Sequence, residues 1–138
     1  MDASRSLQRF ADHPLKMEPS TMQTTSRQTA EHYTWGGPQR SQCDGWHLVK
    51  TRELSIIEEL VPPGAKEVRH FHVRARQFFF VLEGELTLEV EHREFVVQAH
   101  QGIDIPPGQA HQALNKSEHR VRFLVTSQPP SHGDRVEV

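Results

Sequence analysis

The chain of 138 residues predicts an all-β fold, antiparallel and in a single domain. From Tyr33 onward, short β-prone runs are separated by Gly and Pro. Leu86, Leu88 and Val90 alternate with Glu85, Thr87 and Glu89, the period-2 pattern of a strand with one dry and one wet face. No stretch combines helical periodicity, a cap and adequate length, although residues 1–12 have enough for a turn or two.

The elements follow in order. Residues 1–30 are polar and rich in Ser, Thr, Gln and Arg, with too little apolar surface to order alone, so they read as an N-terminal arm. Leu7, Phe10, Leu15, Met17 and Met22 would allow that arm to pack on the barrel or on a second subunit. The domain itself is expected over residues 31–128, with strands at 46–50, 54–61, 68–72, 77–82, 85–90, 94–98, 103–105, 112–115 and 120–126. Glu83-Gly84 marks a tight turn and residues 91–94 the next one. Residues 129–138 read as a C-terminal tail.

Period 2 also organises the chemistry. His70 and His72 leave one face of a strand with Phe71 opposed, and two imidazoles at that spacing can grip one ion. After a short polar turn at 73–76, Gln77 opens the run Phe78-Phe79-Phe80-Val81-Leu82, which places its amide across an expected hairpin from the histidines. Parity then sends Phe79 and Val81 inward and leaves Phe78, Phe80 and Leu82 as an apolar outer row in need of cover. His111, after the turn Pro106-Pro107-Gly108, is the best fourth ligand. Three histidines and a side-chain oxygen form a divalent transition-metal set.

The spacing of these residues resembles the cupin family, small β-barrels with two motifs. Gly64, five residues, His70-x-His72, four residues, Gln77, six residues and Gly84 match the first; Pro106-x-Gly108, two residues, His111, three residues and Asn115 match the end of the second. The motif regions are 64–84 and 102–115, and the resemblance covers roughly residues 45–127. It implies a cupin-like antiparallel β-barrel or double-stranded jelly roll with a metal in the barrel mouth. Two positions depart from the pattern: Gln77 stands where a carboxylate is usual, and His100 where a Gly usually opens the second motif. Three imidazoles and an amide leave the full charge on a divalent ion, so bound water becomes more acidic and anionic substrates are drawn more strongly.

The resemblance implies a metal-dependent enzyme, of dioxygenase, isomerase, lyase or cyclase type, acting on a small molecule that chelates through adjacent oxygens. Iron, zinc, manganese and nickel all suit such a site. A non-catalytic ligand-binding or sensor module is the alternative, because fold does not fix function. The resemblance also allows a homodimer that covers the outer aromatic row.

Composition narrows the classes. With 16 basic and 18 acidic side chains and a net charge of −2, the chain lacks the basic footprint of a nucleic-acid binder. No run approaches the roughly 20 apolar residues of a membrane span, and one cysteine, Cys43, excludes an internal disulfide and fits a reducing compartment, so the expectation is a soluble cytoplasmic protein. Among other candidates, His47, beside Trp46 on an early strand, is a candidate for the cavity wall, and His100 reads as structural in a turn. His13, His32, His92, His119 and His132 are expected in solvent. Trp35, Trp46 and Phe123 read as core before substrate wall. Arg69, Arg74 and Arg76 read as a solvated rim, and Asp104 and Glu58 as general bases that nothing places beside the metal.

Overall fold

A computed structural model describes residues 22–36 and 42–138. Most of the expected N-terminal arm, including Leu7, Phe10, Leu15 and Met17, lies outside the described residues.

The described residues form strands and turns without a helix. The strands are β1 (Glu31–Trp35), β2 (Cys43–Lys50), β3 (Ser55–Val61), β4 (His70–His72), β5 (Arg76–Glu83), β6 (Glu85–Val90), β7 (Arg93–Gln98), β8 (Gly102–Ile105), β9 (His111–Leu114), β10 (Val121–Gln128) and β11 (Arg135–Glu137). They build two antiparallel sheets, one ordered β1-β2-β3-β10-β5-β8 and the other β11-β4-β9-β6-β7. Phe79, Val81, Leu86, Leu88, Ile105, Val121 and Phe123 are buried in the core between them. Each sheet contributes alternate residues to that layer, as facing sheets require.

Alternation along β5 follows the expected parity. Gln77, Phe79 and Val81 are buried, while Phe78 is exposed and Phe80 and Leu82 are half-buried. The outer row partly covers itself: the Phe78 and Phe80 rings stack at 6.2 Å, and Phe78 lies over Gly102, where a Cβ would collide with its ring. On β6 one expectation fails. Thr87 is buried, because β7 and β9 flank it as the partners of that position, Val96 and Leu114.

Three corrections concern topology. The expected hairpin between the histidine strand and Gln77 is absent: β4 lies in one sheet and β5 in the other. The chain crosses between sheets at residues 73–75, where the Asp134 carboxylate accepts the backbone N–H groups of Val73, Arg74 and Ala75. The expected C-terminal tail therefore carries a turn clamp and then a strand, β11, which pairs Arg135 with His72 and Glu137 with His70. Before the first expected strand, β1 pairs with β2 and forms an edge of the larger sheet.

Two backbone positions explain family residues. Gly84 has φ of 87°, and a Cβ there would sit 2.7 Å from the Arg120 carbonyl oxygen, so the turn needs glycine. His100, standing where the motif usually has Gly, adopts φ of 66°, the left-handed conformation glycine takes without cost. The turn is kept although the residue has changed.

Candidate metal centre and its cavity

His70 and His72 share the inward face of β4, and His111 on β9 is the cross-strand partner of His70. Gln77 reaches the cluster from β5 in the opposite sheet. Its Oε1 lies 3.1 Å from His111 Nε2, and its Nε2 donates to Ser127 Oγ at 3.0 Å. One ring nitrogen of each histidine lies within 4.8 Å of the others. All four side chains are buried.

Burial keeps the imidazoles neutral. It pushes His70 down to about 3 and His72 down to about 4, and lowers His111 as well; Arg135 adds to the effect on all three. Backbone carbonyls set the tautomers. His70 Nδ1 is 2.7 Å from the Val68 oxygen and His111 Nδ1 2.9 Å from the Gln109 oxygen. A carbonyl only accepts, so each proton sits on Nδ1 and Nε2 keeps its lone pair.

This arrangement fits a cation. With its amide so oriented, Gln77 Oε1 and His111 Nε2 are two acceptors facing each other, a repulsion that a shared ion relieves. His72 Nδ1 is buried with no hydrogen-bond partner in the protein, a polar atom left for a ligand to satisfy. Three neutral imidazoles and an amide oxygen are a donor set for borderline transition metals.

The cluster opens into a cavity of about 1250 Å³, and its walls also include Tyr33, Trp35, His47, Glu59, Glu67 and Arg135. Two carboxyls thus face a cavity that the motifs alone leave unlined. Burial pushes Glu59 up to about 7, against a hydrogen bond from the Tyr33 hydroxyl that favours its charged form. Burial, then the charge of Glu59, pushes Glu67 up to about 8. Glu67 Oε1 also accepts the Ala113 N–H at 2.9 Å.

Other candidates fall elsewhere. Asp104 pairs with Arg76 on the exposed face, and Glu58 lies beneath Arg27 and Arg122 on the outer surface, so neither reaches the histidines. Arg69 pairs with Glu89, whereas Arg74 lines the cavity. His47 lines it too, its ring 5.0 Å from that of Tyr33. Trp35 combines packing on the core with a place in the wall. Phe123 is core. Trp46 is neither core nor wall: it lies outside under Arg27 and beside His32. His32, His92 and His119 are exposed, as is His132, which reaches the cavity rim. Cys43 is buried in the core, its thiol pushed up to about 12 by burial, and so stays unreactive.

Sequence reading missed Tyr33, Glu59, Glu67 and Arg135. One signal was available for Glu59: Gly45, a glycine inside the neighbouring strand, marks a close approach on that row.

A Cupin domain profile matches residues 57–127. The chain belongs to the cupin family. It is 30% identical over 89 residues to an uncharacterized protein of Methanocaldococcus jannaschii, covering 64% of this chain and 71% of that one. It is 27% identical over 70 residues to the polyketide synthase CurC of Streptomyces cyaneus, covering 51% of this chain and 46% of that protein. Among solved structures, the polyketide cyclase RemF from Streptomyces resistomycificus aligns with a TM-score of 0.73 at 22% identity, over 86% of each chain. That last likeness speaks to fold. A cupin barrel with three histidines gathered in its interior suggests a metal site.

Proposed function

We propose that this cupin is a mononuclear metal-dependent enzyme acting on a small organic molecule that chelates through adjacent oxygens. One observation carries the reading: three neutral imidazoles and the Gln77 amide converge at the inner end of a cavity of about 1250 Å³, a size suited to a small substrate. His70, His72, His111 and Gln77 hold the metal, with iron, zinc, manganese and nickel all compatible with the donors. When bound, the metal supplies Lewis acidity undiminished by any ligand carboxylate or, as iron, a place for oxygen to meet the substrate.

The rest of the work falls to the chain. His70 and His111 are held in orientation by the Val68 and Gln109 carbonyls, and Gln77 by Ser127. Trp35, Phe79 and Val125 give the cavity an apolar wall against which a carbon skeleton can rest. Arg135 brings a cation toward the same space, suited to an anionic oxygen of the substrate. Cyclase chemistry is one member of the class, and the likeness in fold to the polyketide cyclase RemF supports it. Two copies join through the outer face of the larger sheet, where Phe78 remains 42% exposed. The cytoplasm is the proposed setting.

Elemental analysis of protein purified without tag or chelator, beside His72→Ala, tests the reading. About one equivalent of a transition metal in the wild type, lost in the variant, is expected, and iron would direct the next assay to oxygen uptake. Metal in neither protein, even after it is supplied, would sink the proposal in favour of a non-catalytic binding module.

A further inference from the structure

We infer that Glu59 is the residue that moves a proton on the substrate, with Tyr33 as its positioning residue, from the cavity wall formed by β1, β2 and β3. The inference rests on the proposed metal-dependent function and names its substrate class: a carbonyl compound with a removable proton on the adjacent carbon.

The argument begins with a row across three strands. Tyr33 on β1 pairs with Gly45 on β2, and Gly45 pairs with Glu59 on β3. In a sheet, such a row places its side chains on one face. Because Gly45 has no side chain, the Tyr33 ring passes over it; an added Cβ would sit 2.2 Å from the ring and 2.5 Å from its hydroxyl. The phenol thereby spans one strand and its hydroxyl donates to Glu59 Oε2 at 3.2 Å. The His47 ring packs beside this arrangement, its centroid 5.0 Å from that of Tyr33. The carboxyl is thus fixed in a cavity that it shares with the histidines.

Glu59 faces few charged groups. The Tyr33 hydroxyl on β1 donates to it, Trp35 on the same strand lines the cavity beside it, Cys43 on β2 stays a neutral thiol, and β10 presents Phe123. Glu67 raises its own proton affinity in response to Glu59, and Arg135 on β11 is the cation that lowers that of both. A carboxyl pushed up to about 7 can both take and return a proton near neutrality.

The chemistry balances within the site. The Glu59 carboxylate takes the proton from the carbon beside the carbonyl. The C–H electron pair becomes the C=C bond of an enolate, and the carbonyl π pair moves onto oxygen, at the histidine end of the cavity. Return of the proton reverses these movements, and no oxidant or co-reactant is required.

The test uses the zinc-loaded full chain with dihydroxyacetone in D₂O, following loss of the C–H signal by ¹H NMR; zinc, having no redox chemistry, isolates proton transfer. Exchange by the wild type should fall about 100-fold in Glu59→Gln with zinc content unchanged. Tyr33→Phe and Gly45→Ala should keep zinc, lose about tenfold, and shift the pH midpoint upward, because the Tyr33 hydroxyl favours the charged carboxylate. Independently of any substrate, ¹³C-carboxyl NMR of the metal-free wild type against Glu59→Gln should find Glu59 titrating near 7. No exchange by the zinc-loaded wild type, undiminished exchange in Glu59→Gln, or a Glu59 that titrates with surface carboxyls overturns the inference. Failure of the wild type to hold zinc overturns the proposed function instead.

Discussion

Raising the pH from 6.5 to 8.5 should destabilise the metal-free protein, and the size of the loss follows from two cavity carboxyls. Glu59 and Glu67 are pushed up to about 7 and about 8 in the folded chain, chiefly by burial, against about 4.3 for an ordinary glutamate. Between the ordinary and the raised value, the folded chain keeps a proton that the unfolded chain has released. Stability therefore falls as pH rises, by about 1.4 kcal/mol per pH unit for each group. Glu59 acts for about half a unit and Glu67 for about one and a half, a loss of roughly 2.7 kcal/mol between pH 6.5 and 8.5. The three buried histidines, neutral in the folded chain and still half-charged in the unfolded one at pH 6.5, return roughly 1.2 kcal/mol over the same range, so the net loss is about 1.5 kcal/mol. Below 6.5 the three histidines, lowered in the folded state, oppose the carboxyls and stability declines again on acidification. Urea denaturation followed by the fluorescence of Trp35 and Trp46, at constant ionic strength with a chelator, measures the slope. Replacing both carboxyls, Glu59→Gln with Glu67→Gln, should abolish the fall and leave the small rise that the histidines contribute. A flat or rising wild-type profile from 6.5 to 8.5, or the same slope in the double variant, would refute the reasoning.

Three further expectations concern ligation, the second motif and assembly. Gln77→Glu should keep the metal, bind it at least about tenfold more tightly in competition with a chromophoric chelator, and make bound water less acidic; unchanged affinity and pH dependence would argue that Gln77 does not ligate. Asn115 is buried, donates to the Val61 and His119 carbonyls and accepts from Ser117, so Asn115→Ala should cost about 3 kcal/mol in thermal or urea unfolding. A loss under about 1 kcal/mol would deny it that role, and metal content per folded chain should not change. Light scattering should find the wild type dimeric and Phe78→Glu monomeric, with little change in fold because Phe78 is already 42% exposed; a monomeric wild type would refute the assembly.

The parts of this site that a strand's own alternation dictates were legible in the sequence. His70 and His72 share a face, and Gln77, Phe79 and Val81 point inward, because period 2 needs no knowledge of neighbours. The partnership of those strands was not legible. A short polar turn after His72 reads as a hairpin, yet it carries the chain to the other sheet, held by Asp134, a residue about 60 positions away. Local patterns contain no trace of such a clamp. For the same reason residues 129–138, polar and punctuated by prolines, resemble a tail until β4 supplies the partner that makes residues 135–137 a strand. The membership of His111 was legible through the second motif, its spacing standing in for the pairing with His70 that brings it there.

Glu59 shows where reading from one sequence stops. Its strand is apolar on both parities, with Ile56 and Leu60 on one and Ile57 and Val61 on the other, so the segment does not say which face is dry. A shift of one residue exchanges Glu58 for Glu59, and the exchange carries the chemistry with it: Glu58 meets Arg27 and Arg122 outside, while Glu59 meets Tyr33 within the cavity. What breaks the tie is Gly45. Its missing side chain opens the path for the Tyr33 ring only on the face to which Glu59 belongs, and a glycine inside a strand is the usual mark of such a close approach. The proton-handling wall is therefore encoded as a relation among three strands, while the histidine centre rests on motifs short enough to read along one chain.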